Sequence, residues 1–316
     1  MHSLIKIFLI ILLVILLSLA LWHFNVRIFL ADYYYQQVLL TDQWPEILSF
    51  YQKVFYLQPK EPFYHQKFAV DLKWGLQFYQ SKEFKIQILD LAIDQMDRIP
   101  EKDRSFGTKV YLARLAGLKA EATQKQEDFL IAEQMIEKAS EMSPKVARVY
   151  NEWCQIKIYE KEWEQAREMC KKAFYLYPPI DHPQMNMKHR NLVVAEMSEV
   201  YEKLGEIYLA LGNYEKAESM YRQILKFYPL TRTDLWKKLG DIYYLQNDLD
   251  TAIERNFHGY ILKPNDSFWS LTLGLLYQEK GDMEKALVWG ENALRLDPEN
   301  EEIKNFLQRI KGDSPI

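Results

Sequence analysis

The chain has only two cysteines in 316 residues, and neither lies in a Cys-x-x-Cys pair. A zinc site or a dithiol catalyst therefore lacks its usual donors. Histidines number six and are scattered along the chain. No HExxH, GxSxG, GxxxxGK[ST] or GxGxxG occurs, so the metalloprotease, hydrolase, P-loop and dinucleotide-binding readings have no motif to rest on. The formal charge is −4, without the basic stripe that a nucleic-acid binder needs. No long segment alternates apolar and polar residues with the period of a strand. The acidic residues stand mostly at spacings typical of exposed helix faces. No catalytic residue, cofactor, metal or nucleic-acid partner is expected from these features.

What is present is a repeat. The stretches Lys203–Pro229, Lys237–Pro264 and Leu271–Pro298 align on their terminal prolines. Leu204-Gly205, Leu239-Gly240 and Leu273-Gly274 then coincide, as do Tyr208, Tyr243 and Tyr277, and Ala217, Ala252 and Ala286. The glycines are 35 and 34 residues apart, and a fixed period of this length is the signature of a solenoid. Each half-repeat carries apolar residues three and four apart, as an amphipathic helix does. Gly205 and Ala217 are small where two antiparallel helices approach closely. Gly212-Asn213 and Gly281-Asp282 supply the turn between them, where a positive φ costs glycine little. Pro229, Pro264 and Pro298 close the second helix.

At these residues the chain resembles the tetratricopeptide repeat family. The pattern is met closely over Ser198–Thr231 and Ser267–Asn300. Thr233–Asp266 departs from it twice, with Asn256 where an aromatic is usual and Gly259 where a second alanine is usual. Weaker copies end at Pro178, Pro144, Pro100 and Pro59, carrying Trp153, Trp163, Ala166 and Ala173, then Ala132 and Ala139, then Trp74-Gly75, then Trp44, Tyr51 and Val54. The fold class expected is all-α: an N-terminal transmembrane helix, a right-handed superhelical array of about seven helical pairs, and a capping helix over residues 301–316. The expected organisation is a membrane segment at 1–27, degenerate pairs at 28–180, an insertion at 181–197 and three well-matched repeats at 198–300.

The first residues are of another kind. Within residues 4–24, the stretch from Ile7 to Phe24 is apolar apart from Ser18 and His23, and about 18 residues is near the minimum for a spanning helix. An uncleaved signal-anchor is the leading reading. A cleaved signal ending at Ser18-Leu19-Ala20 and a buried core helix are the alternatives. Lys6 before the span and Arg27 after it nearly balance. The orientation expected places the N-terminus in the cytoplasm and the repeats outside, in a bacterial-type envelope. Cys154 and Cys170 fall on inward-facing positions of successive helices and are expected to be two inert buried thiols, with a disulfide as the alternative.

Pro178 and Pro229 are 51 residues apart, about 17 more than the repeat spacing. The extra segment holds Asp181, His182, Met185, Met187 and His189. Thioethers with imidazole suit copper(I), but the simpler reading is an elongated helix whose methionines cover neighbouring repeats.

The resemblance implies binding of a protein partner on the first helix of each pair. The inward positions it assigns are Arg148, Asn151, Gln155 and Tyr159; Glu199, Glu202 and Glu206; Asp234, Lys237, Asp241 and Tyr244; and Phe268, Leu271 and Leu275. This wall is acidic in its middle and apolar toward its C-terminal end. A basic, amphipathic peptide or helix would fit it. The function expected is a membrane-anchored scaffold in envelope or secretion assembly. The alternatives are an accessory subunit of a polytopic membrane enzyme, such as a glycan polymerase, and an enzyme within the degenerate first half.

Overall fold

The computed structural model describes the backbone of residues 2–76, 81–180 and 185–313, with side chains from residue 11 onward except 73–75 and 313. Trp74, Gly75, Asp181 and His182 lie outside the described side chains. No strand occurs among the described residues; the chain is all-α. It forms two compact units, residues 1–162 and 163–316.

The first unit begins with α1 (His2–Leu21), which passes through a single π-turn, Trp22–Val26, into α2 (Arg27–Val38). Leu21 and Arg27, on either side of that turn, both keep right-handed helical angles. The helix therefore enters the first repeat without a break. Side chains from Ile11 to Phe24 are exposed, which removes the buried-core-helix reading for this segment. On α2 the pattern changes: Ala31, Tyr35 and Val38 turn inward. They meet α3 (Trp44–Leu57), α4 (Pro62–Leu76) and α5 (Lys82–Asp97) in one core around Tyr51, Val54, Phe68, Leu72 and Met96. The unit continues with α6 (Phe106–Thr123), α7 (Gln126–Met142) and α8 (Ala147–Glu160). Ala132 and Ala139 are fully buried on α7, at the small positions that the repeat requires.

Cross-helix contacts fix the register of this unit. Tyr64 donates to Asp32 across α4 and α2, Gln66 donates to Thr108 across α4 and α6, and Arg114 pairs with Glu152 across α6 and α8. Tyr64, Gln66 and Thr108 lie in the first two turns of α4 and α6, whereas Asp32, Arg114 and Glu152 lie near the middles of α2, α6 and α8. Matched in this order along the chain, the contacts set α2, α4, α6 and α8 parallel, with their starts toward one edge. Gln126, at the start of α7, reaches Glu160, at the end of α8, on the opposite edge.

The second unit comprises α9 (Trp163–Leu176), α10 (Met187–Ala210), α11 (Tyr214–Phe227), α12 (Asp234–Leu245), α13 (Leu249–Leu262), α14 (Ser267–Glu279), α15 (Met283–Leu296) and α16 (Glu301–Asp313). The turns between paired helices repeat closely. Gly212, Asn247 and Gly281 take positive φ. Asn213, Asp248 and Asp282 follow and accept hydrogen bonds from the amides of Lys216, Thr251 and Lys285, which is N-capping of the second helix.

The small positions are in tight contact. A Cβ on Gly205 would lie 2.4 Å from the Tyr221 ring. The two departures of the middle repeat complement their surroundings. Asn256 lies against Gly240 and donates to the carbonyl of Ala252 at 2.9 Å, while Gly259 leaves the space that Trp269 of the next repeat fills. Residues 187–197 of the insertion form the first turns of α10, which has 24 residues. Asn186 caps it by accepting from the His189 amide at 2.8 Å. Met187 is 78% exposed and so does not cover a neighbouring repeat as the sequence reading supposed.

Cys154 on α8 and Cys170 on α9 are both fully buried. Both are disulfide-bonded and no free cysteine is present, which corrects the expectation of two thiols. That expectation rested on idealised helix spacing, an argument too coarse to decide a displacement of one turn.

Candidate protein-interaction surface

In the second unit the inward positions lie on α10, α12 and α14. Their acidic part is not free. Lys238 of α12 reaches Glu202 at 2.8 Å and Glu206 at 2.9 Å on α10. Arg232, just before α12, contacts Glu202 at 2.8 Å and Asp234 at 2.7 Å. Glu199 pairs with Lys203, and Lys237 with Asp241. Burial alone would lower the Lys238 pKa, but its hydrogen bonds to the two glutamates raise it above the ordinary lysine value. Arg232 is likewise raised, chiefly through its bond to Asp234. The acidic run is therefore half of an ion network that ties one repeat to the next. The sequence reading saw the carboxylates and missed their partners, because the joining cations lie 30 to 36 residues away.

The apolar part divides. Leu271 is buried and packs with Ile303, Phe306, Leu307 and Ile310 of α16, so it is a core residue. Tyr244, Phe268 and Leu275 stand exposed at 46%, 43% and 38%, with Leu245 beside them on α12 also exposed. These aromatic and aliphatic groups lie on the first helices of two successive pairs.

In the first unit Arg148 lies over the Tyr111 ring, 4.8 Å from its centroid. Asn151 is buried, while Gln155 and Tyr159 are half-buried. Arg114 and the buried Glu152 form a 3.0 Å pair between α6 and α8. As in the second unit, the charged inward positions are matched from within the fold. Among the described residues no group of three or more His, Cys, Asp or Glu is placed to hold a metal ion.

The pairs of antiparallel helices with small-on-large contacts and capped turns define an α-helical repeat protein. Residues 198–230 and 271–300 each match a tetratricopeptide repeat family model, together about a fifth of the chain. The bovine (Bos taurus) BBSome complex member BBS4 is 36% identical over 103 residues, 32% of this chain and 19% of that protein. The match thus spans about a fifth of the relative's length. Among solved structures, BtubC from P. vanneervenii aligns with a TM-score of 0.51 and 18% identity, over 75% of this chain and 95% of the other. YrrB, described as a TPR protein with an unusual peptide-binding site, aligns at 0.45 and 16% identity, over 70% and 97%. The BtubC likeness shows the fold alone. The two matched repeats support a role in protein–protein interaction.

Proposed function

We propose that the protein is a membrane-anchored interaction scaffold, with the exposed apolar strip of the second unit as its partner-binding surface. The observation that carries this reading is the separation of that surface into two parts. The charges of α10 and α12 are compensated by Lys238 and Arg232, whereas Tyr244, Leu245, Phe268 and Leu275 remain exposed. Apolar groups on one wall, next to a neutralised ion network, fit the apolar face of an amphipathic partner segment. The occupant supported is therefore chosen by its apolar face more than by basic charge.

The anchor is α1. A window starting at Ile11 has the length and mean hydropathy of a membrane span, and its described side chains pack against nothing in the protein. The repeats are placed on the extracytoplasmic side, in assembly of envelope or secretion machinery. The disulfide state of Cys154 and Cys170 supports that side, because disulfides persist in oxidising compartments. The unbroken helix from α1 into α2 keeps the first pairs beside the bilayer. That continuity also favours a membrane-embedded partner, so the accessory-subunit reading stands as the second one.

The test uses the full chain in its own membranes. Alkaline carbonate should leave it in the pellet, and protease added to the periplasmic side should digest the repeats. After crosslinking, capture should yield a defined partner that is lost with Leu245→Asp and Leu275→Asp together. Release by carbonate refutes the anchor, and capture unchanged by both substitutions refutes the surface.

A further inference from the structure

The register of the first unit has a consequence for where it sits. The parallel helices α2, α4, α6 and α8 all start at one edge. The apolar helix α1 enters α2 at that same edge. The turns 58–61, 98–105 and 143–146, which precede α4, α6 and α8, must therefore face the side from which the anchor emerges. Phe24 and Leu30 are six residues apart, about 9 Å of helix at 1.5 Å per residue. That is slightly more than the roughly 5–8 Å that a headgroup layer adds on each side of the hydrocarbon core.

These turns carry the side chains that such a layer takes. Each holds one exposed lysine: Lys60, Lys102 and Lys145. Tyr56 is 84% exposed and Phe63 47% exposed beside the first turn, and Val146 is exposed in the third. Aromatic rings with lysines are the composition of a membrane–water interface. Acidic residues are present too: Glu61 and Asp103 are exposed in the first and second turns, while Glu101 is held by Lys109 at 2.6 Å and by Arg104 at 3.2 Å. The opposite edge differs in charge. Leu39 and Leu40 stand exposed there beside Asp42 and Glu46, and Lys125 is followed by Glu127 and Asp128.

We infer that this edge of the first unit lies on the membrane surface, with Lys60, Lys102 and Lys145 contacting anionic lipid headgroups and Tyr56 and Phe63 entering the interfacial layer. The inference rests on the reading of α1 as a membrane span. The occupant is a lipid surface rather than a protein because the edge continues directly from that apolar helix and offers isolated turn side chains instead of a groove. The first unit would then be held at a fixed orientation, with its opposite, more acidic edge turned to the aqueous side.

The test is depth measurement on the full chain reconstituted in vesicles of phosphatidylcholine, with and without phosphatidylglycerol. A fluorophore is attached in turn at L12C, E61C, D103C, D42C and E127C. Quenching is read with lipids spin-labelled in the acyl chain or on the headgroup. The expected result is acyl-chain quenching at L12C, strong headgroup quenching at E61C and D103C, and little at D42C and E127C. Adding K60E, K102E and K145E should lower headgroup quenching at E61C and D103C in the anionic vesicles, each lysine being worth about fivefold in occupancy at an anionic surface. Water exposure at L12C would overturn the anchor and the inference with it. Acyl-chain quenching at L12C with equal quenching at both edges would overturn the inference alone. Headgroup quenching at the proximal edge that is indifferent to phosphatidylglycerol and to the three substitutions would overturn the lysine contacts.

Discussion

Phe306 of the terminal helix rests on Gly290, where a Cβ would come within 2.7 Å of its ring. In the two preceding pairs this position holds Tyr221 and Asn256, each lying on the glycine of its own partner helix. The last pair has no side chain there. Phe306, fully buried, fills the space and also covers Gly274, where a Cβ would lie 3.0 Å from its ring. α16 thus completes the last repeat as well as covering it.

Phe306→Ala should therefore destabilise the second unit by about 3–5 kcal/mol, the range for deleting a buried phenylalanine. Denaturant unfolding of the full chain, followed by helical circular dichroism, checks this. A shift no larger than that of an exposed control such as Val288→Ala would mean that α16 is dispensable.

Gly205→Leu should cost about 1–3 kcal/mol through overpacking against Tyr221. The same change at Gly212, with nothing within 4 Å but a positive φ, should act through backbone strain instead. Gly212→Asn should rescue the second position and Gly205→Asn should not, since asparagine tolerates positive φ. Thermal unfolding of the four variants separates the two mechanisms.

Reversing Glu199, Glu202 and Glu206 to lysine should lower stability by about 1–2 kcal/mol, a modest figure because the pairs are partly exposed. At positions 202 and 206 the new lysines would face Lys238 and Arg232, and at position 199 Lys203. Lys238→Glu added to that background should restore part of the loss. An unaltered melting temperature in the triple variant would show that the ion network does not tie α10 to α12.

His65 is fully buried, lies parallel to the Phe55 ring at 4.7 Å and donates from Nε2 to the Pro59 carbonyl at 3.0 Å. Its burial, reinforced by the Arg98 charge, lowers its pKa below the ordinary value of 6.5, outweighing the opposing bond to Pro59. The unfolded chain then binds the proton more readily than the folded one. Stability contributed by neutral His65 is full above pH 6.5 and is lost as pH falls through the unfolded value toward the lower folded one. Unfolding midpoints measured across that window should fall with acid in the parent chain, and less so with His65→Gln. Parallel pH profiles would remove His65 from the account.

Thiol titration in denaturant should find no reactive cysteine in the chain as isolated and two after reduction, since neither Cys154 nor Cys170 is free. Two thiols before reduction would remove the support for an oxidising compartment.

The sequence was most legible where one residue type serves one local need. The turn residues Gly212 and Gly281, the small residues Gly205 and Ala217 and the closing prolines each announce a helix boundary or a close approach. Relations between repeats were hidden. That Gly259 exists to admit Trp269, that Asn256 sits on Gly240, and that Phe306 serves Gly290 all depend on which side chains the stacking brings together. The inward surface was misread for the same reason. Glu202 and Glu206 look like an open acidic face until Lys238 is placed across them, and Leu271 looks available until α16 covers it. Exposure, which separates Tyr244 and Leu275 from Leu271, is a property of the stack and has no local signal in the chain.

The most direct measurement is site-specific photo-crosslinking in intact cells. A photoreactive residue is placed at Tyr244, Leu245, Phe268 or Leu275, and in parallel at the exposed Ile261 and Val288 on the second helices of their pairs. The scaffold reading predicts one discrete adduct shared by the first set and absent from the second. Adducts of equal yield from Ile261 and Val288, or none from the first four positions, would contradict it.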